Sequence, residues 1–577
     1  MISLPRSPVV KLLFGLLVIS CLFAFGYRNQ PALDRENWNP TGRNWINPAK
    51  DDNRSPANGR PPVKSFKVPE SLHLTHDVAI PQDVPPWTQA DTDFLYTATG
   101  YSLKMQMLKL DYAKNEHVDE HKEKINFAEL ARAERLYKGL WNYVHPIFQG
   151  LPGSDDNERE KALVEMAKTR PEIDYFLRLE KRLFPWAHLN RQTSFSLQRT
   201  FKGRGLVFCA GNGQFEFVVT SIQALRSRLK SQLPIQVFHM GDHDLSPDRQ
   251  QYLRDMTSNV EVMDVTQILD NGYMQLGGWA IKPFAMLASR FEEVMFVDAD
   301  AYFLQDPVVL FDDPGYQATG ALFFYDRTLF ARYGSGADWL RSVTPLLSSF
   351  VPMSRMFRWV SAHEQESGVV LINKRTRFTG LMAICKSNGK WERDLVSYRV
   401  FHGDKETFWT GFEMIQEPYA FMRNYGGVIG ELRPDDQNSV CGAQLHEDHK
   451  GRPLWWNGGL YRNKNEGVYR YLTFDYWMTG GGHQKHRERF TYDEEGMKKV
   501  LLDLGLSSEQ QLQLEAKDAE WDFKESCLAG AKVNTLSQRE KDLANGYVNI
   551  DKVAREDAKK MGEGKKVDPR SRNWDTV

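Results

Sequence analysis

The sequence predicts an α/β fold with a mostly parallel central sheet and a helical subdomain ahead of it, and three observations support this. From Gly205 onward, short apolar runs alternate with amphipathic stretches of helical period, the pattern of successive β-α-β units. One such run, Val294-Met295-Phe296-Val297, passes directly into Asp298-Ala299-Asp300, as a buried strand does when it ends at a site that needs negative charge. Upstream, residues 91–200 show helical spacing and no visible chemistry.

In chain order, residues 12–27 are apolar or aromatic apart from Gly15, Ser20, Cys21 and Gly26, with Arg6 and Lys11 before them and Arg28 after. That reads as a signal-anchor behind a cytoplasmic tail of residues 1–11, placing the body in the lumen as a single-pass type II membrane protein. Ala24-Phe25-Gly26 leaves a cleaved signal peptide open as the competing reading. Residues 28–90, rich in Asn, Pro, Asp and Arg, read as a lumenal stem, and Asn53-Arg54-Ser55 within them is a glycosylation sequon. In the helical subdomain, Leu130, Ala131, Leu136, Leu140 and Trp141 fall near helical spacing, and a second helical stretch runs from Glu158 to Leu183.

Residues 201–490 form the α/β core. Leu206-Val207-Phe208-Cys209 reads as a strand, Ala210-Gly211-Asn212-Gly213 as a glycine loop and Phe217 to Leu229 as a helix. Ile235 to His239 and Val260 to Met263 read as strands around a helix with Ser246 as cap and Pro247 in its first position. A helix from Ile281 to Phe291 leads to the strand that ends at Asp298. Ligands of a parallel sheet gather at the carboxyl ends of its strands, so the glycine loop and the two aspartates should share one cleft. Thr319 to Phe324 reads as a further strand, Glu366 to Asn373 as a polar, glycine-containing turn before another buried strand, Asp404-Lys405-Glu406 introduces a helix, and Gln444 to Trp456 reads as a hairpin. Residues 491–577 form a charged helical extension, and its end, 562–577, reads as a disordered tail.

Lysine plus arginine number 74 against 75 aspartate plus glutamate, so no global field favours nucleic acid, and none is expected as a partner. The five cysteines form no C-x-x-C pair, which argues against a zinc ribbon or redox motif. With Cys21 in the apolar run, Cys209, Cys385, Cys441 and Cys527 remain, enough for two disulfides.

Residues i and i+2 of a strand face the same side, so Asp298 and Asp300 can converge on one hard divalent cation, which would in turn hold a diphosphate. The plain alternative is an Asx turn at the strand end. The Gly211 to Gly213 loop lacks G-x-G-x-x-G and the P-loop Gly-Lys-Ser/Thr, which disfavours a dinucleotide site or an ATPase.

In order, Trp279-x-x-Lys282, Phe296-Val297-Asp298-Ala299-Asp300, Thr319 to Phe323 with Asp326-Arg327, Glu366 to Val370 and Gly403-Asp404-Lys405-Glu406-x-Phe408-Trp409 resemble the fungal α-1,3-mannosyltransferase family, glycosyltransferase family 71. The resemblance runs from about Gly203 to Asn463. It implies a GT-A fold, a GDP-mannose donor, Mn2+, and mannosylated glycans of glycoproteins as acceptors. It further implies a Golgi membrane location and partnership in a mannosyltransferase complex. Asp300 is then the direct metal ligand, while Asp298 shares the ion or contacts the donor ribose. Gly211, Asn212, Gly213 and Lys282 are donor-binding candidates, Lys282 as a phosphate contact. His446 is the candidate third metal ligand, with His449 and His483 as competitors.

An α-linked donor giving an α-linked product means retention of configuration, through either a carboxylate nucleophile or front-face attack. Asp404, Glu406 and Glu366 are the candidate catalytic carboxylates, with Asp404 placed at the acceptor or the oxocarbenium-like centre. Trp409, Trp455 and Trp456 are candidates for stacking on sugar faces. An α-1,2 linkage, another nucleotide sugar, or a non-catalytic glycan-binding subunit remain as alternatives.

Overall fold

The structure, a computed structural model, describes residues 126–153, 155–329, 336–344, 348, 350–351, 354–357, 360–462, 470–480, 520–522 and 526–577. The segment 12–27, the stem, the Asn53 sequon and His483 lie outside the described residues. Helix α1 (Phe127–Gly150) starts at Asn126, whose side chain accepts from the amides of Ala128 and Glu129. The helical stretch from Glu158 to Leu183 consists of α2 (Asp156–Ala167) and α3 (Pro171–Leu183). Pro171 has no N–H to continue a preceding helix and instead opens a new one at its first position. A short α4 (Ser194–Arg199) closes the subdomain, whose aromatic core extends through Trp141 to Phe378 with ring centroids 4.6 Å apart.

The core alternates β1 (Arg204–Cys209), α5 (Phe215–Ser227), β2 (Ile235–His239), α6 (Pro247–Asp255), β3 (Val260–Asp264), α7 (Ile281–Ala288) and β4 (Glu293–Val297). After the two-residue β5 (Tyr302–Phe303) come β6 (Ala321–Tyr325), β7 (Gln365–Asn373), α8 (Phe378–Ser387), α9 (Thr407–Ile415) and β8 (Ala420–Phe421). The first sheet has the order β3-β2-β1-β4-β7-β6-β8. Every residue of β2 and β6 is buried, which is why both read as unbroken rather than alternating sequences. All neighbours pair in parallel except β7, which runs antiparallel to both β4 and β6. This is the GT-A arrangement. Its reversed strand brings Gln365 to Gly368, the start of β7, to the carboxyl edge of β4, where Val297 pairs with Val369.

A second sheet contains β9 (Gly427–Arg433), β10 (Asp436–Glu447), β11 (Pro453–Asn457), β12 (Tyr476–Met478), β13 (Glu520–Asp522), β14 (Cys527–Ala529) and β15 (Asn534–Thr535). The expected hairpin is β10 with β11, and β11 also pairs with β5, two residues beyond Asp300. The hairpin is thereby fastened beside the aspartates. One disulfide, Cys441–Cys527, joins β10 to β14, and Cys209 and Cys385 remain thiols, which corrects the expectation of two bridges.

Helix α10 (Gln538–Gly562) begins with a capping box between Ser537 and Glu540. Beyond it the chain is ordered, correcting the expected disordered tail: Arg572 pairs with Asp557, Asp575 with Lys230, and Trp574 is buried. Among the described residues no helix is long and apolar enough to cross a membrane. The long helices α1 and α10 carry charged residues along their length, whereas a span needs about 20 predominantly apolar residues. The expected single-pass Golgi membrane placement is corrected accordingly, since the structure contains no spanning helix among the described residues.

Glu134 on α1 is 2% exposed, and neither of its carboxyl oxygens has a hydrogen-bond partner. Burial pushes its carboxyl up from 4.5 to about 8, against the pull of Lys386. The native state therefore keeps a proton that the unfolded chain loses near the ordinary carboxyl value, and stability falls as pH rises across that window. Glu134→Gln should raise Tm at pH 8.5, by roughly a few kcal/mol of stability, and change it little at pH 4. Equal shifts at both values in a thermal melt series would refute this.

Candidate functional site

The site grows from the carboxyl end of β4. The Asp298 amide donates to the Gly368 carbonyl at 2.8 Å, and the Asp298 carbonyl accepts from the Ala301 amide at 3.0 Å. The chain therefore turns at Asp298, so the two aspartates come together through a turn, where the sequence suggested continued strand alternation. Their carboxylates are close enough that Asp300 perturbs Asp298.

Lys282, in the first turn of α7, is 7% exposed. Its ammonium lies 2.9 Å from Asp298, 3.5 Å from Asp404 Oδ2 and 3.4 Å from Ser367 Oγ. The far end of α7 is held by Lys374, which donates to the carbonyls of Met286 at 2.9 Å and Leu287 at 3.3 Å. That contact fixes the helix from which Lys282 projects. Burial draws the Lys282 ammonium down, but Asp298 and Asp404 together hold it above its ordinary value. Asp298 is pushed up to about 7, first by burial, against the pull of Lys282, with Asp300 and Asp404 adding repulsion. Asp404 is 2% exposed and its Oδ2 makes no hydrogen bond. Two carboxylates, Asp298 and Asp404, flank this ammonium, and Asp300 acts on Asp298 from beside it; carboxylate oxygens such as those of Asp298 and Asp300 are the ligand type a hard divalent cation takes.

A second lysine lies alongside. Lys405 Nζ is 2.8 Å from Asp326 and 2.8 Å from Glu366, two carboxylates each 1% exposed. Glu366 also accepts from the Gly368 amide at 2.9 Å and Asn457 Nδ2 at 2.8 Å, tying β7 to the end of β11. Burial opposes ionisation of both carboxyls, yet Lys405, helped by Arg327 and His363 at Asp326 and by His446 at Glu366, holds them below the usual range. Sequence reasoning gave Lys405 and Asp326 no role. The only signal was a lysine set between two acids in Asp404-Lys405-Glu406.

The glycine loop follows β1, which pairs in parallel with β4 so that both carboxyl ends reach one edge. Cys209 at that edge is raised by burial and then by Asp298, with Lys282 and Asp404 also acting on it. Gly211 admits no side chain, since a Cβ would sit 2.3 Å from Asp244 Oδ1. Asn212 donates to the Asp244 carbonyl at 2.7 Å and accepts from the Ser246 amide at 3.1 Å, while Gly213 has open space around it. A cavity of about 340 Å³ lies between Asn212, Arg249 and Met561, and its lining includes none of Lys282, Asp298 or Asp404.

The family model Mannosyl_trans3, a mannosyltransferase model, matches residues 203–448, a span that contains every residue of this constellation but Asn457. A Candida albicans protein, MNN1, is 28% identical over 320 residues, covering 45% of this chain and 39% of its own. Alpha-1,3-mannosyltransferase MNT3 of Saccharomyces cerevisiae is 25% identical over 318 residues, covering 48% of each chain. Over this stretch the chain is similar to mannosyltransferases, fungal α-1,3-mannosyltransferases among them. It spans half or less of the length of those two relatives. Among solved structures, it is similar to the galactosyltransferase LgtC in complex with donor and acceptor sugar analogs, at 13% identity over 36% of this chain and 70% of that one, with a TM-score of 0.25. Mouse xyloside xylosyltransferase 1 is 14% identical over 37% and 84%, with a TM-score of 0.26.

Several candidate residues lie away from the Asp298–Lys282–Asp404 group. His446 is buried between Trp455, whose ring stacks at 4.1 Å, and Phe324 at 5.4 Å, and its ring nitrogens have no hydrogen-bond partner. Burial lowers it to about 4, and the charges acting on it are Glu366, Asp326, Lys405 and Arg327. Among the described residues no group of three or more His, Cys, Asp or Glu is arranged to hold a metal, so His446 does not join Asp298 and Asp300 as a third ligand. His449 lies 3.6 Å from Asp313 instead. Glu406 is fully buried and accepts from Trp409 Nε1 at 2.5 Å and from the Glu364 amide at 2.9 Å. That corrects its expected catalytic role: it ties α9 to the entry of β7. Trp409, Trp455 and Trp456 are fully buried, which removes them as sugar platforms.

Proposed function

We propose that this chain is a metal-dependent, retaining glycosyltransferase. In this reading it moves mannose from GDP-mannose to the mannose chains of glycoproteins in α-1,3 linkage, with residues 201–490 as its catalytic domain. The observation that carries the reading is Lys282 seated between Asp298 and Asp404 at the carboxyl edge of β4, next to Asp300. Asp300 and Asp298 would hold Mn2+, which when bound supplies Lewis-acid neutralisation of the diphosphate leaving group. Lys282 adds a fixed cation for a phosphate oxygen, and burial strengthens that attraction. Asp404, without a hydrogen bond at Oδ2, stabilises positive charge at the anomeric carbon or orients the acceptor hydroxyl. Glu366 and Lys405 brace the far wall through Gly368 and Asn457.

Purified full-length protein offered radiolabelled nucleotide sugars should transfer mannose from GDP-mannose to an α-linked mannobiose. EDTA should lower the rate by about a hundredfold or more and added Mn2+ should restore it. Transfer from UDP-galactose but not GDP-mannose would sink the mannosyl assignment, and linkage analysis of the product separates α-1,3 from α-1,2.

A further inference from the structure

Among the described residues three large apolar side chains are exposed, and two of them, Tyr273 at 57% and Trp279 at 51%, stand on the segment that leads into α7. Exposing half an indole ordinarily costs apolar surface, so two such residues within seven positions need a reason. The segment is held in place. Arg393, itself buried, donates to the carbonyl of Met274 at 3.0 Å and also to that of Gln275. Trp279 is backed on one side: a Cβ on Gly403 would sit 2.6 Å from its Cε3, and its ring centroid is 5.4 Å from that of His402. Gly403 has φ +68°, so glycine serves there both the backbone and the indole. The next residue is Asp404, and three positions along from Trp279 is Lys282.

We propose that Trp279 is the stacking platform for the acceptor, taking the apolar C–H face of a hexopyranose at the rim of the Asp404 site; this rests on the glycosyltransferase reading above. The position selects acceptor over donor nucleotide. Trp279's partners, Gly403 and His402, adjoin the start of β7 through His363, whose ring is 5.9 Å from that of His402. That is the β7 side of β4, whereas the glycine loop and the ends of β1 and β2 lie on the opposite side. His402, beside the indole, is exposed and offers a polar partner for ring hydroxyls. A rigid aromatic supplies contact area at small entropic cost, which suits a repetitive sugar chain.

Trp279→Ala and Trp279→Phe test this in the full chain. The alanine variant should raise KM for α-linked mannobiose about tenfold, with KM for GDP-mannose within about twofold, and phenylalanine should recover most of the loss. A rise in the GDP-mannose KM instead, or no change in either, overturns the proposal. A second readout needs no turnover: mannobiose should shield wild-type tryptophan fluorescence from acrylamide, and the shielding should vanish in Trp279→Phe. If wild type transfers mannose but mannobiose gives no such shielding, the platform is refuted alone. If it shields Trp279 but no sugar is transferred, the transferase reading fails while the platform stands.

Discussion

Asp300→Ala is expected to reduce mannosyl transfer by about a thousandfold and to abolish Mn2+-dependent binding of GDP, while leaving the protein folded. Asp298 and Asp300 follow the end of β4, Asp300 acts on Asp298, and Asp298 shares the ammonium of Lys282 with Asp404. Removing Asp300 takes away half of the proposed cation's aspartate ligands, so charge developing on the leaving diphosphate loses its main counterweight. The same change should not destabilise the fold, because Asp300 repels Asp298 and contributes to holding it near 7. Asp298 in the variant should therefore ionise at lower pH, detectable by carboxyl NMR titration. Calorimetry with GDP and Mn2+, run beside the transfer assay, is decisive: unchanged binding and turnover in a folded variant would remove the aspartates from the mechanism.

The second large effect is on stability. Lys405→Met should cost about 3–5 kcal/mol, measured by urea unfolding near pH 7. The substitution leaves Asp326 and Glu366, each 1% exposed, without the ammonium that lies 2.8 Å from both. In the wild type these carboxyls are held below their ordinary values, so their stabilising contribution is present above the unfolded carboxyl range and lost as pH falls below it. In the variant the pair can shed its penalty only by taking up protons, so the gap from wild type should narrow as pH falls toward 4. A cost below about 1 kcal/mol at pH 7 would show that the pair is solvated rather than bridged.

The strands were legible because each one that flanks the site is buried on both faces and therefore writes itself as a continuous apolar run, Leu206 to Cys209 and Val294 to Val297 among them. Asp298 and Asp300 were legible as candidates because charged residues at the end of such a run need a reason to be there, whereas Lys282 and Asp404 were candidates only through the motif blocks of the resemblance. The boundary at Pro171 was not drawn from the sequence, because the apolar period continues on both sides of it. Tryptophan was misread in both directions. Trp409, Trp455 and Trp456 adjoin polar or glycine-rich stretches yet are buried, while Trp279, beside Gly278 and Lys282, is the one exposed at the site. Local sequence does not report burial for a side chain that is favourable in either environment.

By itself the sequence determined the α/β core and the carboxyl-edge address of the site, which follow from periodicity and from charge at a strand end, while Lys282 and Asp404 came into view as candidates through motif blocks that resemble a known family. Only the tertiary structure decided partnerships. Lys282 and Asp404 are 122 positions apart, Asp326 and Lys405 are 79 apart, and His446 stands against Trp455 rather than with Asp300. The reversed direction of β7 and the pairing of β11 with β5 bring these residues together. Strand direction and sheet-to-sheet pairing are set by how whole layers bury their apolar faces, which no local stretch of residues encodes.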